Sequence, residues 1–115
     1  MHITARDTDG VVVFYIEGEV CRSHATKTTL HQVIKSQLEF GKRNFLLNLE
    51  KVDLIDSFGV GEILASYTSI QNLGGKIKLT QIPARLNLIF KVTWLDHVLE
   101  IFDNETVALQ SFVKP

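Results

Sequence analysis

The apolar positions nearest the amino terminus fall into two short segments separated by a turn signal. Residues 3–7 and 11–17 flank Asp9-Gly10, a dipeptide typical of two-residue hairpin turns. The second segment is apolar almost throughout and rich in β-branched residues, which favours an interior strand over a half-exposed one. The pattern therefore predicts an antiparallel hairpin whose second strand ends at Gly18.

Beyond about Ala25 the spacing of the apolar residues becomes that of an amphipathic helix. A first helix, with Gly41 as its terminator, is predicted by four positions at i, i+3, i+4 and i+8. These positions are Leu30, Val33, Ile34 and Leu38. A second and longer helix is predicted to close at Gly74-Gly75. Its apolar face comprises Val60, Ile63, Leu64, Tyr67, Ile70 and Leu73.

Three further strands are predicted in the rest of the chain. Residues 45–49 and 76–80 are apolar or alternating segments on either side of the second helix, and residues 98–102 form a last candidate strand. Between the last two strands the chain breaks at Pro83. Beyond this break, a short helix is predicted by Leu86, Ile89 and Phe90.

The chain is expected to end in a helix capped by Asp103 or Asn104, and Trp94 and Leu95 are expected to lie in the core. The predicted order is β-β-α-β-α-β-α-β-α. Because crossovers between parallel strands are right-handed, this order predicts an α/β fold. We expect a mixed sheet of four to five strands, parallel in its second half and packed with about four helices. No linker divides the chain, which predicts one domain over residues 1–115.

Composition removes several function classes. The 115 residues carry a formal net charge of -1, so there is no basic surplus to hold a nucleic-acid backbone. Cys21 is the sole cysteine, which excludes an internal disulfide and is compatible with a reducing cytoplasm. The longest apolar run, residues 11–16, is far shorter than the roughly 20 residues of a membrane helix, and the amino terminus does not resemble a signal peptide. We therefore expect a soluble, cytoplasmic domain.

The most unusual segment runs from Asp53 to Glu62 and reads D-L-I-D-S-F-G-V-G-E. It joins a predicted buried strand to the strongest predicted helix, which places it at the carboxyl edge of the sheet, the usual functional edge of open α/β sheets. Ser57 is expected at the N-cap or in the first turn of that helix. Gly59 and Gly61 follow, although each glycine disfavours a helix by roughly 1 kcal/mol relative to alanine.

This segment has two interpretations. In the first, Ser57 caps the helix and the two glycines shape the turn. In the second, the missing side chains of Gly59 and Gly61 allow the backbone of another protein, or an active site, to approach the Ser57 hydroxyl closely.

The spacing D-S-x-G-x-G between a strand and a helix resembles the STAS domain of bacterial anti-sigma-factor antagonists. The resemblance extends over essentially the whole chain, including the strand–helix order and Gly18-Glu19-Val20 after the second strand. One position differs: family members commonly read G-E-L-D there, whereas this chain has Cys21 as the fourth residue. A carboxylate common near the site in that family is therefore absent.

The resemblance implies a phosphorylation-controlled switch without catalytic activity, cofactor or metal of its own. Ser57 would be the phospho-acceptor of an anti-sigma-factor serine kinase with a histidine-kinase-type ATPase fold, which brings ATP and Mg²⁺. A PP2C-type phosphatase would remove the phosphate. The unphosphorylated form would bind the kinase and free the sigma factor, with no direct contact to nucleic acid and no insertion into a membrane. The residues expected to bind the partner are Asp56, Phe58, Gly59, Val60, Gly61 and Glu62.

Electrostatics is consistent with such a switch. A phosphate adds about -1.5 to -2 charges, which the amino terminus of a helix tolerates and a partner in contact with the same segment does not. Because Asp53, Asp56 and Glu62 already make this edge acidic, we expect a basic patch on the partner.

Three alternatives remain open. The chain could be a STAS scaffold in a stress-signalling complex, a STAS subunit of a membrane transport system, or a small enzyme that uses Asp53, Asp56 and Glu62 for acid–base or metal chemistry.

The histidines and the cysteine offer weaker signals. His2, His24, His31 and His97 lack the spacing of metal ligands, which favours surface or packing roles. Cys21 near His24 could form a thiol nucleophile, but the sequence supplies no orienting third group, so a small buried residue is favoured.

Overall fold

Five strands form one sheet in the order β1-β2-β3-β4-β5, in a computed structural model that describes residues 1–22 and 28–113. The strands are β1 (His2–Thr8), β2 (Val11–Val20), β3 (Asn44–Ile55), β4 (Lys76–Thr80) and β5 (Glu100–Phe102). The helices are α1 (Leu30–Glu39), α2 (Ser57–Asn72), α3 (Asn87–Val92), α4 (Leu95–Val98) and α5 (Glu105–Val113). A turn of 3₁₀ helix, Ala84–Leu86, precedes α3. The first pair of strands is antiparallel and the other pairs are parallel, which confirms the predicted mixed α/β sheet.

Local signals account for the hairpin and for the helix ends. Asp9 and Gly10 have φ angles of 51° and 84°, the left-handed conformation that a tight turn between twisted strands needs. Thr29 and Gln32 form a capping box at the start of α1. Asn104 accepts a hydrogen bond from the N–H of Val107 and so caps α5, as one of the two predicted candidates. The predicted change of period at Ala25 lies outside the described residues.

The two faces of the sheet are buried by different helices. One face packs against α1, α2 and α3 in a large cluster that includes Phe14, Phe45 and Leu47. The other face forms a smaller cluster with α5 around Ala108. Polar contacts hold this last helix, because the Glu105 carboxylate accepts hydrogen bonds from the Tyr15 hydroxyl at 2.8 Å and from the Asn48 amide at 3.2 Å.

Strands β2 and β3 are longer than predicted. The expected ends at Gly18 and Leu49 are wrong, because β2 continues to Val20 and β3 to Ile55. The two extensions pair with each other in parallel, Gly18 with Val52 and Val20 with Ile55. Much of residues 50–54 is polar and exposed, so the hydrophobic pattern did not mark the segment as a strand. This extension carries the candidate functional segment, residues 53–62, to the carboxyl edge of the sheet.

The corner between α3 and α4 also differs from the prediction. Leu95 is fully buried as expected, but Trp94 is 63% exposed and does not belong to the core. Trp94 has a φ of 61°, a left-handed conformation that turns the chain between the two helices. The predicted strand over residues 98–102 is wrong at its start, because Val98 ends α4 and β5 begins at Glu100.

Candidate functional site

The amino terminus of α2 is capped by Asp56 and not by Ser57. One carboxylate oxygen of Asp56 accepts a hydrogen bond from the N–H of Gly59 at 3.0 Å. The other accepts one from the N–H of Arg22 at 3.1 Å. Ser57 is therefore the first helical residue, which confirms the first-turn position and overturns its interpretation as the cap. Within the described residues the exposed Ser57 hydroxyl has no hydrogen-bond partner, so it is available to another molecule.

The same hydrogen bonds keep Asp56 ionised. The N–H that Gly59 donates lowers the pKa of the Asp56 carboxyl, an effect larger than the opposing effect of partial burial, and the Arg22 N–H lowers this pKa further. A general acid or base for neutral pH needs a pKa closer to 7. The direction of the shift therefore suits a fixed capping anion better than proton transfer.

Gly59 is required by packing inside the protein. A Cβ atom at this position would lie 2.1 Å from the carbonyl oxygen of Val20 and 2.8 Å from Cγ2 of Ile55. The carbonyl group of Val20 is part of the backbone, so this overlap can be relieved only if α2 moves away from β2. The absence of a side chain at Gly59 therefore allows α2 to pack against the end of β2. The interpretation that this absence admits a partner protein does not apply to Gly59.

Gly61 has a different environment. A Cβ atom there would meet nothing within 4 Å among the described residues, and Gly61 is exposed. It lies four residues after Ser57, so the two share one face of α2. Neither a left-handed backbone nor an internal contact calls for glycine at this position. The bare helix surface beside the Ser57 hydroxyl is therefore open to the approach of another protein.

The remaining predicted partner-binding residues divide between surface and interior. Val60 is buried in the main core cluster. Phe58 is half-buried, and the guanidinium of Arg22 lies 5.1 Å from its ring centroid. Glu62 accepts a hydrogen bond at 3.0 Å from the N–H of His31 in the first turn of α1, which ties α1 to α2. Sequence reasoning did not identify Arg22, because its contacts with this segment are long-range.

The three carboxylates of the segment have separate partners. Asp53 is exposed and lies 3.7 Å from the guanidinium of Arg85, whereas Asp56 and Glu62 accept backbone hydrogen bonds at the starts of α2 and α1. In residues 1–22 and 28–113, no three His, Cys, Asp or Glu side chains are grouped so that they could hold a metal ion. The acidic edge therefore consists of structural caps and one surface ion pair.

Cys21 lies beside this segment and is buried, as predicted. Its thiol donates a weak hydrogen bond to the carbonyl oxygen of Leu54 at 3.9 Å. Burial raises the pKa of the Cys21 thiol, and the negative charge of Asp56 raises this pKa further. A nucleophilic cysteine needs the opposite shift. His24, the other residue of that hypothesis, lies outside the described residues.

The other histidines have local contacts. The His31 ring lies 2.8 Å from the Ser69 hydroxyl, the His97 ring packs on Trp94, and His2 is exposed on β1. These positions confirm the predicted surface and packing roles. Among the described residues, no helix has the length and apolar character needed to cross a lipid bilayer.

Fold and site together define a class: a small α/β domain whose capped helix presents an exposed serine hydroxyl at the carboxyl edge of a mixed sheet. The sequence profile of the STAS domain matches residues 2–108. The chain belongs to the STAS domain family, which confirms the resemblance drawn from the D-S-x-G-x-G motif.

One relative is an anti-sigma factor antagonist, and another is described as a candidate for the same role. An anti-sigma F factor antagonist of Paenibacillus polymyxa is 25% identical over 101 residues, which cover 87% of this chain and 85% of that protein. A Thermotoga neapolitana protein, described as a candidate anti-sigma factor antagonist, is 33% identical over 73 residues. That match covers 64% of this chain and 65% of the relative, slightly less than two-thirds of its length.

Solved structures show the same fold. A candidate anti-sigma factor antagonist of Thermotoga maritima superposes with a TM-score of 0.84 at 24% identity, over 97% of this chain and 95% of that one. The Bacillus cell fate determinant SpoIIAA in its phosphorylated form superposes with a TM-score of 0.72 at 18% identity, over 98% of this chain and all of that one. The chain is therefore similar to anti-sigma factor antagonists at low identity over most of its length.

Proposed function

We propose that this protein is an anti-sigma-factor antagonist that changes partners when Ser57 is phosphorylated. The unphosphorylated form binds an anti-sigma serine kinase in the cytoplasm and thereby frees the sigma factor. Phosphorylation of Ser57 releases the kinase, and a PP2C-type phosphatase restores the binding form. One STAS-like domain over residues 1–115 performs this role without catalysis of its own. The observation that carries the proposal is the exposed Ser57 hydroxyl, which has no hydrogen-bond partner in residues 1–22 and 28–113, beside the bare surface at Gly61.

The division of roles between Asp56 and Ser57 supports this proposal. Because Asp56 caps α2, modification of Ser57 leaves the capping hydrogen bond to Gly59 in place. A phosphate at the first helical position meets the positive end of the helix dipole, which offsets part of its repulsion from Asp56. Arg22, whose N–H binds Asp56 and whose guanidinium lies over Phe58, supplies a cation at the same edge. The fold can therefore accept the phosphate.

A bound partner is affected more strongly than the fold. A protein packed on Gly61 and Ser57 would have to accommodate the volume of the phosphate and its negative charge in a desolvated contact. A loss of about 3 kcal/mol in binding free energy corresponds to about a hundredfold lower affinity, which is sufficient to exchange one partner for another. The similarity to SpoIIAA, which has been solved in a phosphorylated form, is consistent with this mode of control.

The proposal is tested by the intact mass of the protein isolated from its own host, before and after phosphatase treatment. We expect one phosphoryl group that phosphatase removes and that is absent from Ser57→Ala. Ser36→Ala is the matched control, because Ser36 is exposed on α1 and its loss should leave the modification intact. A phosphoryl group that persists in Ser57→Ala, or its absence under growth and stress alike, would contradict the proposal.

Partner capture completes the test. Unphosphorylated protein immobilised on a column should retain a kinase of the histidine-kinase-type ATPase fold, and the Ser57-phosphorylated protein should not. Elution of the protein in a large multiprotein particle would favour the scaffold alternative instead. Co-purification with membrane components would favour the transport-subunit alternative. Turnover that is lost in Asp56→Asn but retained in Ser57→Ala would favour an enzyme.

A further inference from the structure

Arg22 contacts the residues on both sides of Ser57. Its backbone N–H donates a hydrogen bond to the Asp56 carboxylate at 3.1 Å, and the centre of its guanidinium group lies 5.1 Å from the centroid of the Phe58 ring. Asp56 and Phe58 immediately precede and follow Ser57, and consecutive Cα atoms are only about 3.8 Å apart. Because the stem of an arginine side chain is flexible, its guanidinium group can turn from the Phe58 ring to a group attached to Ser57.

The positive charge of the Arg22 guanidinium is not neutralised by a neighbouring carboxylate. In residues 1–22 and 28–113, no carboxylate lies within ion-pair distance of this guanidinium, and the hydrogen bond that Arg22 donates comes from its backbone. Arg22 is exposed, and its side chain lies over the half-buried Phe58 ring in a cation–π contact. Such a contact is weaker at the surface than a charge-assisted hydrogen bond. The guanidinium is therefore available to an anion at this edge.

A phosphate on Ser57 would be such an anion. It would add about -1.5 to -2 charges next to the Asp56 carboxylate, which its own hydrogen bonds keep ionised. Two negative groups this close repel each other unless a cation lies between or beside them. A guanidinium suits this position, because its parallel N–H groups match the spacing of two phosphate oxygens.

We propose that the guanidinium group of Arg22 forms an ion pair with the phosphate on Ser57 and thereby stabilises the phosphorylated form. This inference rests on the proposed phosphorylation of Ser57. The side chain of Arg22 turns from the Phe58 ring to the phosphate oxygens, while its backbone N–H remains bonded to Asp56. Arg22 thus acts as a positioning residue that holds the phosphate against this chain. A partner that approaches the modified serine must then compete with Arg22 for the phosphate.

Phosphorus NMR of the full chain, with phosphoserine incorporated at residue 57 during translation, tests this ion pair without a kinase. The second pKa of the phosphate should lie below its ordinary value of about 6, and at least about 0.5 below the value measured in Arg22→Gln. Because salt screens an exposed ion pair, the difference between the two proteins should shrink at about 1 M salt. Arg22→Lys should restore part of the difference, since lysine keeps the charge but lacks the planar fork.

Arg6→Gln is the matched control. Arg6 is likewise exposed, and its guanidinium lies 6.0 Å from the centroid of the Tyr15 ring. It is paired with Val13 near the start of β2, whereas Ser57 follows the far end of β3. Its loss should therefore leave the pKa of the phosphate unchanged. Arg22→Gln keeps the backbone N–H that binds Asp56, and circular dichroism of both variants establishes that they are folded.

Urea denaturation measures the same ion pair through stability. Replacement of serine by phosphoserine at residue 57 should change the urea midpoint more favourably in the unmodified sequence than in Arg22→Gln, because only the former can pair the phosphate. An equal change in both proteins, or an equal pKa of the phosphate in both, would overturn the ion pair and leave the phosphorylation of Ser57 standing. Absence of phosphate from Ser57 in the protein of the host would instead overturn the proposed function, and with it the regulatory role of Arg22.

Discussion

The Asp56 carboxylate accepts a hydrogen bond from the Arg22 N–H at 3.1 Å and so joins the start of α2 to the segment that follows β2. With its other oxygen Asp56 caps the helix, and among the described residues the neighbouring Ser57 hydroxyl makes no hydrogen bond. A serine that is phosphorylated and dephosphorylated in turn must not be needed for folding in either form. The cap by Asp56 is therefore compatible with the proposed phosphorylation of Ser57 at the first position of a helix.

Substitution of Ser57 by glutamate should separate binding from folding. The stability of Ser57→Glu should lie within about 0.5 kcal/mol of the unmodified protein, because acidic residues are favourable in a first helical turn. Its affinity for the proposed partner, an anti-sigma kinase, should fall by about a hundredfold. Calorimetric titration and urea denaturation measure the two quantities, with Ser36→Glu as the control. Equal affinity of Ser57→Glu and Ser36→Glu would argue against a charge-controlled contact at Ser57.

Gly59→Ala should destabilise the protein. The added methyl group would overlap with the carbonyl oxygen of Val20, and overpacking of this kind typically costs about 1–3 kcal/mol. A lower urea midpoint, with the slope of the transition unchanged, is the expected result. A midpoint equal to that of the unmodified protein would mean that α2 can shift away from β2 at little cost.

Gly61→Ala, unlike Gly59→Ala, should stabilise the fold, and it should weaken binding of the partner. Alanine is favoured over glycine in a helix by about 1 kcal/mol, and its Cβ meets nothing in the described part of the chain, so stability should rise. Kinase affinity should fall, because the methyl group covers the bare surface beside Ser57. Denaturation and titration on the same sample measure both quantities. A stabilised variant with full affinity would place the partner elsewhere.

The Asp56 cap makes stability depend on pH in a defined direction. Its hydrogen bond from Gly59 lowers the pKa of Asp56 in the folded protein below the ordinary value of 3.8. The stabilisation from its charge is therefore present above that value and is lost as the pH falls through the lowered folded pKa. Asp56→Asn keeps a capping oxygen but does not titrate, so the stability difference between the two proteins should be constant near neutral pH and should change below about pH 4. Denaturation of both proteins across the acidic pH range measures this difference in stability. A difference that does not change with pH in that range would rule out titration of the Asp56 cap.

Cys21 should react slowly with alkylating reagents. Its thiol is buried, and both burial and the charge of Asp56 raise its pKa, so little thiolate is present at neutral pH. We expect iodoacetamide to modify the native protein at least about tenfold more slowly than the urea-unfolded chain. Mass spectrometry against time gives both rates. Equal alkylation rates in the native and unfolded protein would mean that the Cys21 thiol is accessible and reactive in the fold, as a functional thiol would be.

The order of strands and helices followed from the sequence because each element buries one face and leaves a local period of apolar residues. The segment around Ser57 could also be identified from the sequence alone, because two glycines are unusual in the first turn of a helix. Asp9 and Gly10 likewise specified their turn through backbone preferences of their own.

The ends of β2 and β3 could not be predicted in this way. Residues 50–54 are largely polar and exposed, and their strand conformation comes from pairing with residues far away in the chain, such as Val52 with Gly18. The prediction for Trp94 was wrong in the opposite sense. As an apolar residue it was expected in the core, but the left-handed backbone between α3 and α4 places its side chain at the surface.

The roles within the D-S-x-G-x-G motif were also decided by tertiary structure. The sequence by itself determined the family of folds and the position of the candidate serine, since both depend on local patterns. It left open whether Ser57 or a neighbour is the cap, and whether Gly59 and Gly61 act alike. Val20 beneath Gly59 and Arg22 beside Asp56 answer these questions, because steric overlap and hydrogen bonding depend on which distant segments the folded chain brings into contact.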